Sequence, residues 1–144
     1  MEKFAFILHP LSLEDMEHLS PLMRYIPNPI IEACLKMKKP FKVSHITGIK
    51  SPYAEAEGWF IGCPLTAKQM VELPEEFVMD RIIESGKVAQ ELGAKIVGLG
   101  AFTSIVGDAG ITVAKNLDIA VTSGNSYTVA TAIQGTKQAA RMMG

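Results

Sequence analysis

The chain has few cysteines, no long apolar run and no excess of charge of either sign. Its two cysteines, Cys34 and Cys63, lie far apart and form no CxxC pair, which excludes a zinc or disulfide framework. A net charge of -1 disfavours nucleic acid and anionic membrane surfaces, because both attract a basic face. The longest apolar runs, such as Ile96 to Leu99, are much shorter than a bilayer span, so no membrane-spanning segment is expected.

A secretory signal is also missing from the N-terminus. Glu2 precedes a short apolar run from Phe4 to Leu8, and no small-residue cleavage site follows. We interpret this run as a first strand and expect a cytoplasmic protein. The remaining composition, 48% hydrophobic and 20% charged over 144 residues, is that of one domain with a substantial core.

Helical and strand patterns alternate along the chain. Strands are predicted over 4–8, 41–49, 58–63, 95–99 and 119–122, and helices over 12–26, 28–39, 74–92, 111–117 and 126–143, that over 74–92 being the longest. The second and third strands follow each other closely enough to form a hairpin, whereas the later strands are separated by helices, as in parallel βαβ units. The predicted fold class is α/β, a single open mixed sheet, mainly parallel, flanked by helices and containing one β-hairpin.

Two short polar segments follow predicted strands and suggest a ligand pocket. The first contains Phe102, Thr103 and Ser104, and the second runs from Gly124 through Asn125 and Ser126 to Thr128. Open α/β sheets bind ligands at the carboxyl ends of their strands, so both segments are candidates for substrate binding. Their hydroxyl and amide groups serve equally well as local caps of turns and helices, and that alternative stays open.

Three further residues near strand ends have both a functional and a structural reading. His9, at the end of the first strand, is a candidate to hydrogen-bond a substrate carbonyl, or else a turn histidine bonded to backbone. Ser12 is a candidate for the same pocket, or else the cap of the following helix. Cys63 has no activating cation beside it in the sequence, so we interpret it as a structural thiol. No metal site is predicted, because the three histidines lack ligand spacing.

The order of several motifs resembles a known group of enzymes. The segments around Gly93, Leu99-Gly100, Phe102 to Ile105 and Gly124-Asn125 resemble the N-terminal domain of cyanobacterial aldehyde-forming acyl-(acyl carrier protein) reductases. The arrangement is more distantly similar to the substrate domain of shikimate-dehydrogenase-like enzymes. No lysine follows the Phe102 segment where shikimate chemistry needs one, so shikimate itself is not expected as the substrate.

These resemblances imply a function shared with a second domain. Residues 1–144 would be the substrate-side domain of an NAD(P)-dependent oxidoreductase acting on a carbonyl compound, an acyl thioester or a small acid. A Rossmann domain beyond residue 144 would bind NAD or NADP, since Gly98 and Gly100 here are followed by Thr103 where a dinucleotide fingerprint needs a third glycine. The chain alone would therefore bind no cofactor and would be inactive.

The apolar composition predicts self-association. Eight methionines and a mean hydropathy of +0.20 indicate more apolar surface than one small core buries, so we expect a homo-oligomer. The alternative to the oxidoreductase reading is a free-standing α/β module that binds a ligand or a protein without catalysis.

Overall fold

A computed structural model describes residues 2–14 and 24–144. The principal elements, in chain order, are β1 (Glu2–Leu8), α1 (Asn28–Met37), β2 (Phe41–Lys50), β3 (Glu55–Gly62), α2 (Ala67–Glu72), α3 (Glu75–Glu91), β4 (Ile96–Leu99), a 3-10 turn (Ala101–Ser104), α4 (Ile111–Lys115), β5 (Ala120–Thr122) and α5 (Asn125–Met143).

The strands form one sheet in the order β2-β3-β1-β4-β5. β1 lies between β3 and β4 and is parallel to both, and β5 is parallel to β4. β2 and β3 form the antiparallel hairpin. The predicted fold class, a mixed and mainly parallel sheet with flanking helices and one hairpin, is confirmed.

One face of the sheet carries the core. Alternate residues of the three central strands point to this face, and all are buried: Ala5, Ile7, Trp59, Ile61, Val97 and Leu99. Helix α3 covers them with Val78, Ile82 and Ala89, each 0% exposed. The spacing of four and seven residues between these three side chains is the period that sequence analysis used to predict this helix.

On the opposite face of the sheet, glycines of two strands make room for aromatic rings of the neighbouring strand. A Cβ at Gly58 would lie 2.7 Å from the ring of Phe4, and one at Gly98 would lie 2.5 Å from the ring of Phe6. These rings therefore occupy the space beside the two glycines, where the side chain of any other residue would collide with them. Phe6 remains 37% exposed, so the apolar residues of this face are only partly covered by the described residues.

Helix α3 begins and ends as its sequence predicts. Glu75 and Glu76 occupy the first turn, where carboxylates interact favourably with the helix dipole. Gly93 adopts a φ of 89° just beyond the helix, and its N–H bonds the carbonyl of Gln90. A left-handed residue at this position satisfies the last carbonyls and stops the helix.

Several predicted boundaries require correction. Helix α1 begins at Asn28, with Pro27 as its cap, and ends at Met37, two residues before the predicted end. The six-residue helix α2 was not predicted, since it is too short to show a periodic pattern. The longest helix is α5, with 19 residues, and not α3, with 17. Most of the helix predicted after Ser12 lies in 15–23, outside the described residues, and Ile26 lies in a bend.

Helix α5 stands apart from the core. None of its residues is buried, and residues such as Val129 and Ile133 are more than half exposed. Among the described residues, no helix is both long enough and apolar enough to cross a membrane.

Candidate functional site

The fold places the two predicted pocket segments at the same edge of the sheet. β4 and β5 are adjacent and parallel, with Ile96 opposite Ala120 and Gly98 opposite Thr122. The segments that follow these strands therefore leave the sheet at its carboxyl edge, together with the segments that follow β1 and β3. The expectation that the two segments start from neighbouring parallel strands is confirmed.

His9 links the ends of β1 and β4. The backbone N–H of Phe102 donates to His9 Nε2 at 3.2 Å, and His9 Nδ1 lies 3.0 Å from the carbonyl oxygen of Pro10. Because Nε2 accepts a hydrogen bond, the proton of a neutral ring is on Nδ1 and is donated to Pro10. Both ring nitrogens thus have backbone partners, as in the alternative interpretation of His9 as a turn histidine bonded to backbone.

The hydroxyls of the 3-10 turn are also used locally. Thr103 Oγ1 donates to the carbonyl of Gly100 at 2.7 Å, and Ser104 Oγ donates to the carbonyl of Ala101 at 2.7 Å. Thr103 is 1% exposed, and Phe102 packs its ring edge-on against His9. These hydrogen bonds stabilise the turn after β4.

The segment from Gly124 to Thr128 forms the start of α5. Gly124 caps the helix with a φ of 75°, and Thr128 Oγ1 donates to its carbonyl at 3.2 Å. Asn125 and Ser126 lie exposed in the first turn. Ser12 lies elsewhere, in a shallow depression that it shares with Glu14, Asn28, Glu32 and Thr66, among others.

An apolar cavity of about 210 Å³ opens at the same edge of the sheet, and we call it the carboxyl-edge cavity. It is lined by the ends of β1 and β3, the start of β2 and the end of α1, through Leu8, His9, Pro10, Leu35, Lys38, Phe41, Val43, Gly62, Cys63 and Pro64. Of the nine residues predicted for substrate binding, His9 alone lines it.

Sequence analysis missed the rest of this lining. Lys38 falls in the helix predicted over 28–39, and Phe41 and Val43 fall in the strand predicted over 41–49, with no site assigned to them. Gly62 makes room for both apolar side chains, since a Cβ there would lie 3.0 Å from Val43 Cγ2 and 3.2 Å from Phe41 Cζ. The one signal in the sequence is this glycine at the end of an apolar strand.

Cys63 forms a wall of the cavity and is not a nucleophile at neutral pH. Burial raises the pKa of its thiol to about 11, and a hydrogen bond with Ser85 lowers the pKa by a smaller amount. A thiolate is the reactive form of cysteine, so this side chain is almost fully protonated under physiological conditions. The interpretation of Cys63 as a structural thiol agrees with this environment.

A second, more open depression lies between α3 and the segment before α4, and we call it the acidic cleft. It is lined by Glu75, Glu76, Met79, Asp80, Ile83, Gly107, Asp108, Thr112 and Asn116. Hydrogen bonds from the Thr112 backbone and hydroxyl lower the pKa of Asp108, which lies two residues before Gly110, the N-cap of α4. In the described part of the chain, no three His, Cys, Asp or Glu residues are grouped so as to hold a metal ion.

Comparison with characterised proteins shows a similarity to part of a larger enzyme. No protein-family model matches the chain. The chain is similar to Aminotransferase PigE of Serratia sp. (strain ATCC 39006). The two are 32% identical over 139 residues, which are 88% of this chain and 16% of PigE. The chain therefore spans about a sixth of the length of this relative.

The similarity to PigE corrects the expectations drawn from resemblance. The assignment to acyl-(acyl carrier protein) reductases and shikimate-dehydrogenase-like enzymes was wrong, as was the NAD(P)-dependent oxidoreductase function, because the matching protein is an aminotransferase. The match is to part of a larger protein, so it does not test the alternative of a free-standing module. Glycine and hydroxyl residues after strands occur in many α/β proteins, and here they stabilise turns.

The expected cofactor also requires correction. The expectation of NAD or NADP was wrong, because the matching protein is an aminotransferase, and aminotransferases as a class use pyridoxal phosphate. A pyridoxal phosphate site combines a Schiff-base lysine with an acidic or basic partner for the pyridine nitrogen. The described residues lining the carboxyl-edge cavity include Lys38 but no carboxylate and no arginine, and those lining the acidic cleft include carboxylates but no lysine. Neither depression fits this cofactor.

Proposed function

We propose that this chain is an accessory α/β domain of an aminotransferase-related protein, in which amino transfer takes place outside the residues described here. The observation that carries the proposal is the extent of the match, which covers 88% of this chain but 16% of PigE. A region of that size leaves most of the relative for a catalytic unit.

The chemistry of the described side chains supports an accessory role. Amino transfer on pyridoxal phosphate needs a lysine that forms a Schiff base. Of the eleven lysines, Lys3, Lys50 and Lys68 are paired with Glu57, Glu55 and Glu32 at 3.3, 2.9 and 3.6 Å, and Lys38 lies above the ring of Phe41. The hydroxyls and the histidine at the strand ends are occupied by backbone partners.

The exposed surface supports contact with another part of such a protein. Helix α5 has no buried residue, and the edge strand β5 beside it is at most half-buried. In an accessory domain, this end of the molecule would pack on the catalytic unit. We also place the protein in the cytoplasm, since Cys34 and Cys63 are both free thiols, as expected in a reducing compartment.

The experiment exchanges the matching region of PigE for this chain. We expect the chimera to retain amino transfer, and a PigE variant without the region to keep its pyridoxal phosphate absorbance. The isolated chain, incubated with pyridoxal phosphate and dialysed, should retain none. The proposal would be overturned if deletion of the region removed the cofactor from PigE. It would also be overturned if this chain retained pyridoxal phosphate and Lys38→Ala released it. Either result would place the cofactor site in this chain.

A further inference from the structure

The carboxyl-edge cavity has the shape and polarity of a site for an amphiphilic ligand. Its walls are the apolar side chains of Leu8, Leu35, Phe41, Val43 and Pro64. They come from β1, β2, α1 and the segment after β3, so the cavity does not depend on one loop. Its volume of about 210 Å³ corresponds to roughly seven water molecules at about 30 Å³ each. It therefore accommodates an aliphatic tail of about five or six carbons.

Lys38 supplies the cation of the cavity. Its Nζ lies 4.0 Å from the centroid of the Phe41 ring, which keeps the ammonium group beside an apolar wall. Within residues 2–14 and 24–144, no carboxylate lies at ion-pair distance from it. An ammonium that borders an apolar cavity without a protein counterion is complementary to an anionic head group.

The two other polar groups of the lining do not compete for this role. His9 uses both ring nitrogens for the Pro10 carbonyl and the Phe102 N–H. Cys63 is kept protonated by burial, so it adds neither negative charge nor a nucleophile near neutral pH. Recognition of a charged head group thus depends on Lys38.

We propose that the carboxyl-edge cavity binds a short aliphatic monocarboxylate, with its tail against Leu35, Val43 and Gly62 and its carboxylate at Lys38 Nζ. The binding is non-covalent and involves no proton transfer. The proposal goes beyond the accessory role and does not depend on it, since the site lies entirely within this chain.

The test is a titration of the isotope-labelled chain with sodium hexanoate at constant ionic strength, followed by amide chemical shifts. We expect saturable shifts centred on Leu35, Val43 and Gly62. Hexan-1-ol, which has the same tail without the charge, and acetate, which has the charge without the tail, should each bind at least about fivefold more weakly. Equal binding of hexan-1-ol and hexanoate, or no saturable shift at these residues, would overturn the proposal.

Two pairs of variants locate the head group and the tail. Lys38→Met should weaken hexanoate binding about five- to tenfold, whereas Lys39→Met, which removes the adjacent exposed lysine outside the lining, should leave it unchanged. Val43→Trp should fill the cavity and abolish binding, and Val71→Trp, at another exposed valine outside the lining, should not. Equal affinities for the two lysine variants would remove the assigned role of Lys38. The pyridoxal phosphate assay above is separate, so either proposal can fail alone.

Discussion

His9 contributes to stability through two backbone hydrogen bonds. Its ring accepts from the Phe102 N–H and lies against the Pro10 carbonyl, which joins the end of β1 to the turn after β4. His9→Ala leaves the Phe102 N–H without its acceptor, and we expect a loss of about 1–3 kcal/mol in the free energy of unfolding by urea denaturation. Ser104→Ala is the control, because it removes a hydroxyl from a partly solvated turn and should cost about 0.5 kcal/mol or less. Similar urea midpoints for the two variants would refute this role.

Cys63 makes the folded protein sensitive to alkali. The thiol has a pKa of about 11 in the folded chain against 9.0 for an exposed thiol, because burial disfavours the thiolate. The unfolded chain loses the proton first, so this contribution to stability is complete below pH 9.0 and is lost as the pH rises toward 11. The loss should be on the order of 2–3 kcal/mol.

The measurement compares the free energy of unfolding at pH 8 and pH 11 for three proteins. Cys63→Ala should show a smaller decrease across this range than the wild type, while Cys34→Ala, which changes an exposed thiol, should show the wild-type decrease. The same pH dependence in Cys63→Ala and the wild type would contradict the assignment.

At the scale of elements, two helical glycines predict opposite effects for the same substitution. A Cβ at Gly86 in α3 would lie 2.4 Å from Leu117 Cδ1, whereas a Cβ at Gly135 in α5 would have nothing within 4 Å. Gly135→Ala should therefore raise the helix content by circular dichroism, since alanine stabilises a helix by about 1 kcal/mol relative to glycine. Gly86→Ala should lower the free energy of unfolding by about 1–3 kcal/mol through overpacking. Stabilisation by Gly86→Ala would show that Leu117 moves aside at little cost.

Sequence patterns predicted the elements well where a helix has several turns of periodic apolar residues or where short apolar strands are joined by a helix. Helix α3 shows three turns of apolar residues, and β4 and β5 are short apolar segments joined by a helical connection, so their parallel pairing follows from general rules of connection. Helix α2 was not predicted, because its six residues span fewer than two turns. Its capping box at Thr66 and Gln69 was the available signal.

The candidate site was less predictable for a physical reason. Thr103 and Ser104 have the residue types of a binding loop, but their hydroxyls bond carbonyls three residues back, and sequence does not distinguish that use from ligand binding. The carboxyl-edge cavity brings together Leu35, Phe41 and Gly62 from three separate elements. Such contacts depend on how the elements pack, which one sequence without an alignment does not reveal.

At the scale of the whole molecule, the two faces of the sheet differ in how well they are covered. Helix α3 seals one face, where Ile7, Ile61 and Val97 have no solvent exposure. On the other face, Phe6, Leu8 and Ile96 are each more than a third exposed in the described structure. This face and α5 therefore carry part of the exposed apolar surface, and both are available for contacts beyond the domain.

Helix α5 is expected to mediate self-association of the isolated chain. Val129, Ile133 and Met143 follow helical spacing along one side of the helix and are 57%, 51% and 86% exposed. Pairing of two copies along this stripe would remove these side chains from water, so sedimentation velocity should show a dimer whose fraction rises with concentration. Ile133→Glu places a charge in the stripe and should shift the protein to monomer, whereas Gln138→Glu adds the same charge on the opposite side of the helix and should leave the dimer intact. A monomer at all concentrations in the wild type, or dissociation by both variants alike, would show that α5 does not form the contact.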